Sequence, residues 1–133
     1  MTIPPVSHTV TTADIEAYAA LSGDRNPLHV DPAFAAAGPF GAIVAHGPIA
    51  LQTVFEALTR WLGTDDLPPG ALADVAFRGP VREGDTVTCT GAVAEQHAGD
   101  VVVRLEAVDQ HGSPVIEALA VLPRWLVPRD AAG

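Results

Sequence analysis

Asp24 and His29 stand five residues apart in the stretch Asp24-Arg25-Asn26-Pro27-Leu28-His29. A carboxylate and an imidazole differ in proton affinity, and held side by side they suit acid–base chemistry on one bound molecule. Pro27 stiffens the stretch, and a loop between two helices can aim both side chains into one cleft. Further along, Ala45-His46-Gly47-Pro48 leads into an apolar periodic segment. The first amides of a helix lack internal partners and carry the positive end of its dipole. A glycine there lets a carbonyl oxygen that gathers negative charge approach the backbone. Plainer readings stand beside these. An aspartate after glycine often bonds its own turn, a lone histidine is often structural, and Gly47 with Pro48 also reads as a simple helix start. Spacing alone does not choose between them.

Other candidates are weaker. His8, His29, His46, His97 and His111 form no His-x-His or His-x-x-x-His pair, so no metal site is expected. Gly38 to Gly47 lacks both the dinucleotide fingerprint and the P-loop lysine. Cys89 falls on the inward side of an alternating strand, which suits core rather than nucleophile. Arg78 and Arg82 could meet a phosphate or simply face solvent.

The elements that must position these residues follow from periodicity. Thr11 and Thr12 precede an acid-containing helical segment that Gly23 ends. Ile15, Tyr18, Ala19 and Ser22 share one face of it. Ser22 to Pro27 reads as a turn-rich loop. Asp31-Pro32 opens a short second helix, closed by Gly38-Pro39-Phe40-Gly41. The longest helix starts at Gly47-Pro48, carries the stripe Leu51, Val54, Phe55, Leu58, Trp61 and Leu62, widened at its start by Ile49 and Ala50, and stops at Gly63. Beyond Pro68-Pro69-Gly70 the period becomes two. Four strands are expected, over Ala71 to Phe77, about Thr86 to Val93, about Val101 to Glu106, and Val115 to Leu122. A long apolar helix followed by antiparallel strands predicts an α+β layer, with a curled sheet covering the helix. Such a sheet leaves an edge strand that a homodimer would cover.

Composition bounds the rest. The 133 residues predict one domain, 1–133, large enough for a core of its own. With 48% hydrophobic and 17% charged residues the chain is not disordered. A formal net charge of −9 disfavours nucleic acid and anionic membrane surfaces, and offers no general attraction to anionic carriers. One cysteine rules out an internal disulfide. Met1-Thr2-Ile3-Pro4-Pro5 is no signal peptide, and no apolar run approaches the ~18–20 residues of a membrane span. The expected location is the cytoplasm.

The run from Tyr18 to Ala35, with Ser22-Gly23-Asp24-Arg25-Asn26-Pro27-Leu28-His29 at its centre, resembles the hydratase signature of the MaoC-like (R)-specific enoyl-CoA hydratase and dehydratase family. The spacing on to His46-Gly47 matches as well. Phe77-Arg78-Gly79-Pro80-Val81-Arg82-Glu83-Gly84-Asp85-Thr86-Val87 resembles that family's second recurring segment. The resemblance implies a hotdog fold, an antiparallel sheet wrapped around a long central helix. It implies a homodimer with acyl tunnels near the protomer interface. It implies reversible syn hydration of trans-2-enoyl thioesters to (R)-3-hydroxyacyl thioesters, without metal or redox cofactor. Coenzyme A or phosphopantetheine would enter as part of the substrate. On this resemblance Asp24 and His29 act on the water and the substrate protons, and the Gly47 amide is the oxyanion donor. Asp24 is assigned as the base for the water and His29 as the group that orients it and shares the proton traffic, an assignment of individual protons that the sequence leaves open. Asn26 fixes the loop and, with Phe40, His46 and Pro48, makes up the candidate substrate-binding set. Two departures stand out. Pro48 replaces the methionine that many relatives carry, and the long helix offers Gln52, Thr53 and Phe55 where some relatives place a serine.

Three other readings remain open at this level. The first is a dehydratase of 3-hydroxyacyl chains on an acyl carrier protein. The second is a hotdog thioesterase, which would want different residues. The third is a non-catalytic acyl-thioester-binding subunit, against which the presence of both Asp24 and His29 counts.

Overall fold

The computed structural model describes residues 1–129, so the last four residues of the expected domain lie outside the described part. The order of elements is β1 (Thr2–Thr9), α1 (Thr12–Ser22), α2 (Pro27–Val30), α3 (Pro32–Ala37), α4 (Gly47–Leu62), β2 (Leu72–Phe77), β3 (Thr86–Gln96), β4 (Asp100–Val108) and β5 (Pro114–Pro123). A 3₁₀ turn, Arg124–Leu126, follows β5. The strands form one antiparallel sheet in the order β1-β3-β4-β5-β2.

Local chemistry sets the helix ends. Thr11 caps α1: its side chain accepts from the Asp14 amide while Asp14 reaches back to the Thr11 amide. This reciprocal box satisfies two donors that the helix cannot. Gly23 closes α1 at φ 77°, a left-handed conformation that costs glycine little. Asn26 caps α2 through the Leu28 amide, and Asp31 caps α3 through Ala33 and Phe34. The stretch carrying His29 is therefore a single helical turn rather than plain loop, because Asn26 and Pro27 form a complete start signal. Gly63, at φ 69°, ends α4.

The sheet curls over α4, which packs on β1, β3, β4 and β5. Between them lies the core, with Val54 and Leu58 from the helix against Val87, Val103, Leu105, Ile116 and Leu122 from the strands. Burying each such side chain contributes roughly 1.5–3 kcal/mol. The buried face of α4 is Ile49, Ala50, Thr53, Val54, Ala57, Leu58 and Leu62. Its centre is thus rotated from the expected stripe: Leu51, Phe55 and Trp61 are half-buried, and small Ala50 and Ala57 face the strands. Small residues let the sheet approach closely, which a hydrophobicity count does not register.

The described residues form five strands rather than four. The extra one, β1, pairs with β3 and shifts register between Ile3 and Val6. Pro4 and Pro5 sit at that irregularity, on the sheet edge, where missing N–H groups are tolerated. Their presence masked the strand in sequence. Ile3 and Val6 are nonetheless buried. Cys89 is fully buried on β3, and burial pushes its thiol up to about 11, which keeps it protonated and inert. Among the described residues no helix is long and apolar enough to cross a membrane.

Candidate active site

The segment from Ile43 to Ala45 organises the site, and it is strapped from both sides. The Ala45 amide donates to the Val81 carbonyl (2.7 Å) and the Glu83 amide to the Ile43 carbonyl (3.1 Å). Toward the other side, the Val44 amide donates to the Leu28 carbonyl at 3.2 Å. The second recurring segment, Phe77 to Val87, therefore does mechanical service: it pins the strap that leads into α4. Asp85 stiffens it in turn, accepting from the Arg82 amide and from the Gln110 side chain, both at 2.8 Å.

His29 donates its Nδ1–H to the Val44 carbonyl. A carbonyl can only accept, so the tautomer is fixed and Nε2 carries a lone pair when the ring is neutral. Nε2 faces Asp24 Oδ2 at 3.7 Å. That gap is too long for a direct hydrogen bond. The Asp24 side chain is 51% exposed and that of His29 15%, so the pair is reached from solvent. Asp24 Oδ1 accepts from the Asn26 amide at 3.2 Å, while the Asn26 side chain is occupied at the Leu28 amide. Asn26 thus shapes the loop.

His46 lies inside, only 3% exposed. Its Nε2 donates to the Asp24 backbone carbonyl at 2.9 Å. Its ring stacks on His29, centroids 4.0 Å apart and planes 26° apart, and Tyr18 lies on it at 4.9 Å. Its Nδ1 is buried without a hydrogen-bond partner among the described residues. His46, not Gly47, is the N-cap of α4, and no side chain caps that end. Pro48 has no N–H and the Ile49 amide bonds the His46 carbonyl at 3.1 Å. The Gly47 N–H is the first-turn donor with no helical carbonyl behind it. A Cβ on Gly47 would come within 3.0 Å of the Phe77 ring. A cavity of about 180 Å³ adjoins it, lined by His46, Gly47, Ala50, Phe77, Val81 and Val115 among others.

The fold therefore brings Asp24, His29 and His46 together, and His46 also lines the cavity beside Gly47. It leaves Phe40 outside: that residue sits in the turn after α3, its carbonyl accepting from Arg82 Nε at 3.0 Å. Pro48 turns instead into a groove between α1 and α4, with Tyr18, Leu21 and Gln52. Arg78 pairs with Glu117 at 3.1 Å. Sequence reasoning missed Val44, which acts through its carbonyl and leaves no trace in residue type. It also missed Phe77 as a wall of the site.

Asp24, His29 and His46 each offer a ligand atom within 4.8 Å of the others, a group that the histidine spacing does not foretell. Its geometry is poor for one ion. Imidazole lone pairs lie in the ring plane, and two stacked, nearly parallel rings do not converge on a common centre. One nitrogen of each ring is also spent on a carbonyl.

A family model described as a MaoC like domain matches residues 3–113. The chain is 36% identical over 121 residues to the 3-hydroxybutyryl-CoA dehydratase of Methylorubrum extorquens, covering 86% of this chain and 74% of that protein. It is 34% identical over 119 residues to the (R)-specific enoyl-CoA hydratase of Rhodospirillum rubrum, covering 77% and 80%. The solved (R)-hydratase from A. caviae superposes with a TM-score of 0.79 at 28% identity, covering 96% of this chain and 95% of that one. The α+β architecture, a single antiparallel sheet wrapped on a long helix, is the hotdog fold of these hydratases.

Proposed function

The chain belongs to the family of MaoC-like domains, and we propose that it is a hydro-lyase that adds water reversibly to trans-2-enoyl-CoA thioesters, giving (R)-3-hydroxyacyl-CoA. The observation that carries this reading is the fixed tautomer of His29. With Nδ1–H held by Val44, two acceptors face each other, His29 Nε2 and Asp24 Oδ2, 3.7 Å apart. One water can donate a proton to each. Its oxygen lone pairs then point outward, where the β-carbon of an enoyl thioester would lie.

In the forward direction Asp24 takes a proton from this water as the oxygen bonds to the β-carbon. The π electrons move into the thioester carbonyl, and the enolate oxygen is held by the Gly47 N–H and the helix end behind it. A proton returns from the Asp24–His29 pair to the α-carbon, so one water is consumed. The reverse sequence is dehydration, and the names of the relatives cover both directions. No metal or redox step is called for.

Coenzyme A is preferred over an acyl carrier protein as the handle. Both relatives named above specify CoA thioesters in their names. The working unit is a homodimer. β2 ends the sheet with its outer edge open, Leu72 and Phe77 on it are 68% and 54% exposed, and Phe77 also walls the site. A partner covering β2 would close the cleft that leaves Asp24 half in solvent.

The test is hydration of crotonyl-CoA, followed by the loss of enoyl-thioester absorbance, with Asp24→Asn and His29→Ala alongside. Each variant should lose ~10²–10⁴-fold in kcat while keeping its fold. A wild type that turns over while both variants match it would sink the site. A wild type inactive on crotonyl-, hexenoyl- and octenoyl-CoA would sink the function.

A further inference from the structure

We infer that His46 is a positioning residue that locks the geometry of the Asp24–His29 pair, acting without touching substrate. The inference rests on the reading of that pair given above. Three contacts meet in this one side chain. Nε2–H holds the Asp24 backbone carbonyl at 2.9 Å, the ring face lies on His29 at 4.0 Å, and the residue itself caps α4 directly before Gly47. Asp24 belongs to the irregular stretch between α1 and α2. Its remaining backbone bond comes from its own amide to the nearby Ser22 hydroxyl. The His46 bond is what ties that loop across the cleft to the strap and to α4.

The arrangement carries a cost that a purely packing residue would avoid. With the proton on Nε2, Nδ1 is a buried lone pair with no donor among the described residues. Leaving a buried acceptor unpaired forfeits its hydration with nothing in return. A phenyl ring would fill the same space and stack equally well without that loss. The imidazole gains one thing over phenyl at this place, the N–H to Asp24. Buried unpaired polar atoms are rare enough that each wants an explanation, and this hydrogen bond supplies one. Reacting groups tolerate little displacement: a misplacement of about 1 Å can cost 10²-fold. Loss of the bond should therefore lower kcat, since a water must sit between two acceptors, while substrate binding is left nearly intact.

The experiment compares His46→Phe, His46→Gln and Asp24→Asn with wild type on crotonyl-CoA, and records ring ¹⁵N spectra of the wild type. Phenylalanine keeps the stack and loses the donor; glutamine keeps a donor and loses the stack. His46→Phe should drop kcat ~10–10²-fold with KM within about threefold, and His46→Gln should recover part of the loss. In wild type, His46 should be protonated on Nε2, with that proton exchanging slowly. Wild-type kcat in folded His46→Phe overturns the proposal, as does glutamine performing no better than phenylalanine. If His46→Phe fails to fold, the spectrum decides: a proton on Nδ1, or a fast-exchanging Nε2 proton, overturns it. Asp24→Asn separates the two readings. Full activity there removes the pair itself. An inactive Asp24→Asn beside an unimpaired His46→Phe removes His46 alone.

Discussion

At the residue scale the site divides into groups that type reveals and groups that only packing reveals. Asp24 and His29 were legible because a carboxylate, a proline and an imidazole sit close in sequence and the fold places the two side chains 3.7 Å apart. Val44 was invisible, since its contribution is a backbone carbonyl. His46 was legible as a neighbour of the site but not as a buried one, because burial depends on Tyr18 and His29 closing over it. Gly47 allows a sharper test. Its Cα is overlain by the Phe77 ring, so an added methyl must push that ring by a few tenths of an ångström. Phe77 is half-exposed and can move, so Gly47→Ala should cost under ~1 kcal/mol of stability. The same methyl stands where a carbonyl would approach the amide, so kcat/KM on crotonyl-CoA should fall at least ~10-fold. Thermal unfolding and steady-state kinetics on one preparation check both. A variant that is fully active, or one that is inactive because it has lost its fold, would contradict this account of the helix end.

At the element scale, signals that end or begin helices carried over well. Thr11, Gly23, Asp31 and Gly63 all do what their types suggest. What failed was phase and a masked edge. On α4 Ala57 is buried while Phe55 turns aside to line a surface groove with Gln52 and Glu56. On β1 two prolines concealed a strand whose Ile3 and Val6 are core. Contact with a distant strand decides both, and no local window contains that strand. The α1 capping box yields a pH prediction. Asp14 Oδ2 accepts from the Thr11 amide at 2.9 Å and from His8 at 2.8 Å. The Thr11 hydrogen bond foremost, and then His8, hold its carboxyl below the ordinary 3.8, against a partial opposing push from burial. A carboxyl whose folded value is depressed stabilises the fold above its unfolded value, and that contribution is lost as pH falls through the depressed value. Asp14→Asn keeps an acceptor for Thr11 but carries no charge. The melting temperature of wild type should therefore exceed that of the variant near about pH 6, and the gap should close toward about pH 3. A gap that stays constant over that range would show that the carboxylate's charge adds nothing to the cap.

At the scale of the whole molecule the decisive feature is an unfinished sheet. β1, at one edge, is interrupted by prolines and a register shift, usual devices against further pairing. β2, at the other, has neither: it is regular from Leu72 to Phe77 along β5, and it exposes Leu72. A net charge of −9 keeps such chains apart unless a specific contact outweighs it, so general stickiness is not the expectation. The edge that is open also adjoins the cavity beside Gly47 through Phe77. Closure of the sheet and closure of the site are thus one event in the proposed homodimer. Sedimentation of the wild type should give twice the chain mass of 13.7 kDa. Leu72→Lys places a charge on that edge, away from Asp24, His29 and Gly47. It should shift the protein toward monomer and lower kcat in parallel, with activity returning as protein concentration is raised. A wild type that is monomeric and fully active would separate the two closures and leave the site complete within one chain. A dimer indifferent to lysine at position 72 would move the interface elsewhere on the surface.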